Sequence, residues 1–347
     1  SINPVTNQFQ NQTFKSFSAS ANSNIMLFNG LANWKTLQRS KLNQIANTYR
    51  LDKMKDDIAL SIANSYLQIL FNKEQLKVQK NQNLVTKENI KRTQELIEAG
   101  TLPAGDIYEL QATDATQQQQ IISTENALLI SKIALCQTLL LEEYATFDIS
   151  DEIIDLPMSN VTNETQEAIL TKAKESVKDV KIAMSNVDIA KKDVSISRSS
   201  YLPTLSGFFG YNTRWAESTP FNFADQLSLF DGTAIGLQLN VPILNGFATR
   251  GRVQRAKINQ ERSEFQLKQA ELDLERNVYQ AYNDVINAKK SFEAAQKTLE
   301  ARKQSFNFSK ERFDVGLMNS FDFSQASFAY ENAQSDVLRT KYAYIFR

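Results

Sequence analysis

The chain has 347 residues with only 10 Gly and 6 Pro, so few breakers and long uninterrupted elements are expected. Lys+Arg and Asp+Glu both number 39, and a net charge of zero sets up no overall field for nucleic acid or anionic lipid. One cysteine, Cys136, excludes an internal disulfide, and with no histidine a conventional zinc, haem or His-based catalytic site is hard to assemble. No run of 18 apolar residues marks a transmembrane helix, so a membrane role requires a β-barrel, whose signal per strand is weaker. No signal peptide is evident, and the start at Ser1-Ile2-Asn3-Pro4 without an initiator Met is what a processed or truncated product would show.

Residues 1–13 are polar and unpatterned and read as loop. From Lys15 to Phe28 the residues alternate, with Phe17, Ala19, Ala21, Ile25 and Leu27 on one face of a strand. Past Gly30 a helix is expected to run to about Ala99, roughly 100 Å at about 1.5 Å per residue. Gly100-Thr101-Leu102-Pro103-Ala104-Gly105 stops it, and a second helix is expected from about Asp106 to Glu143. Residues 144–164, with Pro157 and several Asp, hold no helical period and read as an irregular segment. Helix resumes from about Thr165 to Ser199, ended by Tyr201-Leu202-Pro203.

A second strand is expected over Thr204–Thr213, then a loop over 214–232 containing Trp215, Pro220 and Asp231-Gly232. In the third, Ile235, Leu237, Leu239, Val241 and Ile243 alternate with Gly236, Gln238, Asn240 and Pro242. Asn245-Gly246 breaks it, and a helix follows from Phe247 to about Val315. Along that helix Val278, Val285, Phe292, Leu299 and Phe306 recur every seven residues, with Ala281, Ala288 and Ala295 three after the first three. That spacing is the knobs-into-holes code of a coiled coil. Gly316 ends it, and a last helix runs from about Asp322 to Arg347.

The two halves share more than this order. Gln254-Arg255-Ala256-Lys257-Ile258-Asn259-Gln260 lines up with Gln38-Arg39-Ser40-Lys41-Leu42-Asn43-Gln44 at a shift of 216 (254 minus 38). Leu244-Asn245-Gly246 falls on Phe28-Asn29-Gly30, and Gly316 on Gly100, at the same shift. Chance similarity seldom repeats at one fixed shift, which points to an internal duplication of strand, long helix, tip and returning helix. By that symmetry the first repeat lacks its incoming helix and first strand in this chain.

Alternating strands beside helices too long for an ordinary core fit a barrel wall, with Ile235, Leu237, Leu239, Val241 and Ile243 toward lipid and Ser, Asn, Gln and Gly toward water. A sandwich face buried in a soluble protein is the plainer alternative. Phe208, Phe209, Tyr211 and Trp215 read equally well as an interfacial aromatic girdle or as packing. Asp106 and Asp322 read either as caps of the helices they begin or as the lining of a pore. Nothing resembles a nucleophile–base set, a phosphate loop or a metal cluster, so neither an enzyme nor a cofactor is expected.

With these residues in order, the chain is similar to the TolC family of bacterial outer-membrane efflux ducts. The likeness is carried by Ser199-Ser200-Tyr201-Leu202-Pro203-Thr204-Leu205 entering a strand, and by the strand-to-helix junction Pro242-Ile243-Leu244-Asn245-Gly246. Two tips carry it too: Glu95–Gly100 up to Asp106, and Glu311–Gly316 up to Asp322. The resemblance implies a mainly α fold with a β-barrel portion, in which three subunits share one barrel in the outer membrane and one α-helical tunnel across the periplasm. Residues 14–29 and 204–245 would then form barrel strands and outer loops, 30–143, 165–200 and 246–347 the tunnel, and 144–164 an equatorial belt. The tip turns, Gly100, Thr101 and Leu102 and Gly316, Leu317 and Met318, would meet a periplasmic adaptor protein serving an inner-membrane pump.

The chain departs from the family in places. A family subunit contributes four strands, against three here. Family members can carry two acidic rings at the second tip. Asp322 matches the first ring, Gln325 stands at the second, Met318 replaces a linking Arg, and Phe313 replaces a tyrosine that can hydrogen-bond. A lock built from salt bridges is therefore not expected there. The implied function is an exit duct for small molecules or proteins in tripartite efflux or type I secretion. The alternative from another class is a soluble coiled-coil scaffold with a small β region.

Overall fold

A computed structural model describes residues 13–142, 144, 146–150 and 164–346. Among them the order is β1 (Ser16–Asn29), α1 (Ala32–Glu98), α2 (Asp106–Thr138), α3 (Gln166–Ser176), α4 (Lys178–Ser199), β2 (Thr204–Ala216), α5 (Phe223–Leu229), β3 (Gly232–Asn240), α6 (Ala248–Asp314) and α7 (Ser320–Ile345). Contacts divide the chain into two units, Ser1–Tyr49 with Asp179–Ala270, and Arg50–Lys178 with Glu271–Arg347.

The first unit holds an antiparallel meander ordered β1-β2-β3. Ile25 pairs with Gly207 and Gly207 with Leu237, while Phe209 pairs with Ile235 and Leu205 with Leu239. Since side chains alternate across a strand, these residues share one largely apolar face with Phe17, Ala19, Ala21, Tyr211 and Trp215. Ser18, Ser20, Asn22, Asn24, Ser206, Asn212 and Gln238 share the other. The register shifts between Met26 and Phe28, so Leu27 is the extra residue and Phe28 takes the place expected for Leu27.

The third strand is shorter than its alternation suggests. It ends at Asn240, so Val241 and Ile243 lie beyond the ladder. Pro242 has no N–H to donate, and Asn240 already pairs with Thr204, the first residue of β2 after Pro203. At the other end β2 runs on to Ala216, and the expected loop contains α5. Asn222 caps α5 by accepting from the Asp225 N–H at 2.8 Å. The buried Gln226 folds the connection inward, its amide donating to the carbonyls of Phe221 (2.7 Å) and Ala216 (3.1 Å) and its Oε1 accepting from the Ala216 N–H (2.9 Å). Phe223 thereby rests on Phe17 and Trp215, with ring centroids 5.5 and 5.7 Å away.

Each strand-to-helix junction uses two successive left-handed residues, Gly30 and Leu31 at φ 64 and 62°, and Gly246 and Phe247 at φ 57 and 62°. Asn29 reaches forward to Asn33, four residues on, and Asn245 reaches forward to Thr249. Every member of the second set lies 216 residues after its counterpart. The bounds of α1 and α6 differ by the same shift, and each helix has 67 residues.

In the second unit, the heptad side of α6 is partly or fully buried from Val278 through Phe292 and Phe306 to Phe313, though Ala281 is exposed. The buried side of α1 is unexpectedly polar. It buries Ile69 and Leu70 together with Asn72, Asn83, Thr86, Asn89 and Thr93. Two of these amides find partners: Asn72 donates to Ser131 Oγ (3.1 Å), and Asn83 to Asp114 (2.6 Å) and Gln117 (3.2 Å), whereas the Thr93 hydroxyl has none among the described residues.

Two helices stop where the sequence has no breaker. α2 ends at Thr138, five residues short of Glu143, because Leu140 turns left-handed at φ 57°. Leu141 and Leu140 then donate back to Cys136 and Gln137, closing the helix in the manner usually left to glycine. The helix expected over 165–199 is interrupted at Val177, whose ψ of 126° is extended. Just before it, Ser176 Oγ donates to the Lys172 carbonyl at 3.1 Å, a bond that competes with helix continuation. Of the expected irregular segment, 145 and 151–163 lie outside the described residues. Its start is tied down: Lys73 and Lys132 grip Asp148 at 2.8 and 3.0 Å, and Lys73 and Tyr66 donate to the carbonyls of Ile149 and Ser150. The Lys73 bond leads in holding the Asp148 carboxyl down at about 2.

Candidate functional site

Two features of the second unit define its tips. α1 closes with Thr101 N–H on the Leu96 carbonyl (3.0 Å) and Gly100 N–H on Ile97 (2.9 Å), with Gly100 at φ 75°. α6 closes likewise, with Leu317 N–H on Arg312 (2.8 Å), Gly316 N–H on Phe313 (3.0 Å) and Gly316 at φ 77°. This pairing is the Schellman motif, and it satisfies carbonyls that a helix end otherwise leaves orphaned. Of the turn residues, Gly100, Thr101, Gly316 and Leu317 are exposed, whereas Leu102 and Met318 are half-buried.

The acids do not cap. Asn319 caps α7, its Oδ1 accepting from the Asp322 N–H at 2.8 Å while its Nδ2 donates to Asp322 Oδ2 at 3.0 Å. α7 therefore starts at Ser320, two residues before Asp322. At α2 the residue before Asp106 is Gly105, and no side chain caps that helix. Asp106 and Asp322 instead stand in first turns, where a carboxylate meets the positive end of the helix dipole. Asp322 and Gln325 are exposed and Asp106 is half-buried.

Beneath the second tip lies an aromatic cluster. Phe313 and Phe323 are each 1% exposed and stack at 4.5 Å, and Phe306 stacks on Tyr330 at 5.2 Å. Met318 packs against the cluster, so a residue expected at the contact surface is also part of the packing. Sequence reasoning missed the ion pair of Arg92 Nε with Asp314 Oδ1 at 3.1 Å, which joins the ends of α1 and α6. It also missed Glu331, whose carboxylate accepts both Gln117 amide bonds (3.1 Å each) and the Ser327 hydroxyl (3.1 Å) where α7 packs on α2.

Burial raises the Glu331 carboxyl above its usual 4.5, and the Gln117 and Ser327 bonds offset only part of that rise. A raised folded-state value means the folded chain holds this proton more tightly than the unfolded one. Stability from Glu331 is therefore complete below the unfolded value and is lost as pH rises through the folded value. Glu331→Gln is expected to raise stability at pH 7 by about 1 kcal/mol, with the gain vanishing near pH 4. Thermal melts at the two pH values check this, and a variant less stable at pH 7 would overturn it.

In the first unit the decisive feature is the apolar sheet face. Ile235, Leu237 and Leu239 are 82, 70 and 64% exposed, and Val241 and Ile243 beyond the strand are exposed as well. Among the described residues α5 covers only the Phe17–Trp215 end, so among them the face is not a sandwich interior. Phe208 sits on the opposite face from Phe209, Tyr211 and Trp215, with its ring over Gly236, so the four aromatics form no single girdle. No helix among the described residues is long and apolar enough to cross a membrane. Among the described residues no group of His, Cys, Asp and Glu is arranged to hold a metal.

A model of the outer membrane efflux protein family matches residues 2–139 and 169–345. The chain belongs to that family. Members of the outer membrane efflux protein family reside in the bacterial outer membrane and extend into the periplasm, which leaves the soluble scaffold without support. The chain is 22% identical over 291 residues to the outer membrane protein TolC of Vibrio cholerae serotype O1, covering 83% of this chain and 65% of that protein. It is 24% identical over 245 residues to the proteases secretion protein PrtF of Dickeya chrysanthemi, covering 70% of this chain and 50% of that one. The chain thus spans between half and two thirds of the length of these curated relatives.

Among solved structures the fold is similar to the outer membrane protein VceC of Vibrio cholerae, with a TM-score of 0.74 at 13% identity over 96% of this chain and 85% of that one. It is also similar to the CmeC outer membrane channel of Campylobacter jejuni, at 0.73 and 15% over 96% and 75%. At these identities the likeness shows the fold, a mainly helical chain with a small antiparallel sheet.

Proposed function

We propose that this chain is a subunit of an outer-membrane exit duct, passing small molecules or proteins outward in a tripartite efflux or type I secretion system. The single observation that carries this reading is the sheet of the first unit. It has an exposed apolar face, an opposite face mostly of Ser, Asn, Gln and Gly that also carries Met26 and Phe208, and two outer strands, β1 and β3, whose outer edges have no partner among the described residues. Unpaired backbone cannot face lipid, so a spanning sheet must close on itself. Three copies, joined edge to edge directly or through further strands, close it.

On this reading residues 14–29 and 204–245 form the wall in outer-membrane lipid, 30–143, 165–200 and 246–347 a periplasmic tunnel, and 144–164 the belt around it. The shift of 216 that relates the junctions, the long helices and the tips supports reading the chain as an internal duplication. Three copies of Asp106, Asp322 and Gln325 line the narrow end, where converging carboxylates favour cations. Gly100, Thr101, Leu102, Gly316, Leu317 and Met318 meet the adaptor, and an inner-membrane pump supplies the energy.

Adjacent residues of β3 test the wall. Leu237→Arg puts a charge on the lipid face and is expected to cost about 2–4 kcal/mol per copy near the bilayer midplane, lowering the outer-membrane fraction and the trimer yield. Gln238→Arg points the same charge into the lumen and is expected to be tolerated. Equal tolerance of both, or a detergent-purified monomer, would sink the reading.

A further inference from the structure

The outer-membrane reading, on which this inference rests, leaves a band of charge unexplained. At one rim of the sheet Asn29 pairs with Thr204 and Thr204 with Asn240. α1 and α6 start near that rim and α4 ends there. In residues 32–43 of α1 stand Lys35, Arg39 and Lys41 with no acid. In residues 248–259 of α6 stand Arg250, Arg252, Arg255 and Lys257, again with no acid. Residues 188–199 of α4 carry Lys191, Lys192 and Arg198 against Asp188 and Asp193.

A neutral chain therefore concentrates ten cations and two carboxylates in helix ends about 18 Å long. Cations in the first turns of α1 and α6 oppose the helix dipole, and neither first turn holds an acid to answer it. Helix stability alone selects the opposite charge at these positions.

A cavity of about 470 Å³ opens among these helices, lined by Arg39, Arg252 and Arg255 with Asp193 as its one carboxylate. Arg39 Nη1 reaches Asp193 at 3.0 Å, and its buried Nε has no acceptor among the described residues. Arg252 donates to Thr249 Oγ1 at 3.1 Å. Between β3 and α6 the exposed large side chains, Val241, Ile243, Leu244 and Phe247, are apolar, with Asn245 and Gly246 exposed between them. Apolar surface followed at once by unbalanced cations is the order of chemistry at the edge of a bilayer with anionic headgroups.

We infer that this collar is a docking surface for anionic phospholipid, with the cavity between Arg39, Arg252 and Arg255 seating a headgroup phosphate. The planar guanidinium fork suits phosphate oxygens, and three guanidiniums against one carboxylate leave the cavity positive.

The test uses the full chain in zwitterionic detergent micelles carrying phosphatidylglycerol or phosphatidylcholine, with bound lipid counted by native mass spectrometry. Phosphatidylglycerol is expected to bind in preference. The triple variant Arg39→Gln, Arg252→Gln, Arg255→Gln is expected to bind it about a hundredfold more weakly, the scale for three cations near an anionic surface. Lys289→Gln, Lys290→Gln, Lys297→Gln, three exposed cations elsewhere on α6, is expected to leave it unchanged. Undiminished phosphatidylglycerol binding by the folded arginine variant would overturn the inference. So would displacement of the lipid by millimolar inorganic phosphate, which would make the site one for free phosphate. Failure to take up either lipid would overturn the outer-membrane reading itself, whereas uptake of both without preference overturns the collar alone.

Discussion

Phe313→Ala is expected to destabilise the protein by about 3–5 kcal/mol, the range for deleting a fully buried aromatic ring. The ring is 1% exposed and stacks face to face on Phe323, with planes 12° apart. Phe306 and Tyr330 extend the cluster, and Met318 closes it from the tip. Removing the ring strips contacts from both sides and leaves a cavity that the ends of two long helices cannot collapse without moving the turn between them. Tyr330→Ala, at the half-buried margin, is expected to cost less because water can fill part of the space. Denaturant unfolding of the two variants separates them. A loss of less than about 1 kcal/mol for Phe313→Ala would mean the cluster is not closed.

The same cluster shows what the sequence could and could not reveal. A spacing of seven from Val278 to Phe306 announces a packed face, and continuing it one step lands on Phe313. Gly100 and Gly316 announce the tips because a left-handed closing residue favours glycine. Leu140 makes the same left-handed turn with a side chain, so the end of α2 leaves no mark in the composition. Val177 breaks a helix with neither Gly nor Pro nearby. α5 depends on Gln226 reaching backbone carbonyls up to ten residues away, a tertiary fact hidden from local pattern.

The candidate site was legible in its strands and turns but not in its polar partners. Ile235, Leu237 and Leu239 follow from period two, whereas the end of β3 depends on which residue of β2 has a free carbonyl and N–H to offer. Asp322 was visible as an acid opening a helix, yet the cap is Asn319, because the helix begins two residues earlier than charge alone suggests. Asn72 and Asn83 read as surface residues by type and are buried through hydroxyl and amide partners on the facing helix. Polarity predicts exposure only where no partner waits across the interface.

The two strand-to-helix junctions give the second large effect as a matched pair. Gly30→Ala is expected to cost about 3–4 kcal/mol and Gly246→Ala about 1 kcal/mol, although both sit at nearly the same positive φ. The left-handed strain is common to both and cancels in the comparison. What differs is the surroundings: a methyl group on Gly30 would lie 2.6 Å from the Ser199 carbonyl oxygen and 2.8 Å from Leu202 Cβ, whereas one on Gly246 meets nothing within 4 Å. The Ser199 oxygen cannot swing aside as a side chain would, because it accepts the Leu202 N–H at 3.0 Å in the turn that feeds β2. Relief must therefore move the end of α4 or the end of β1, and β1, β2 and the helix ends share that shift. Melting of the two variants under one condition decides the matter: equal losses would show that strain alone sets the cost, and that α4 does not pack against the first junction as closely as 2.6 Å requires.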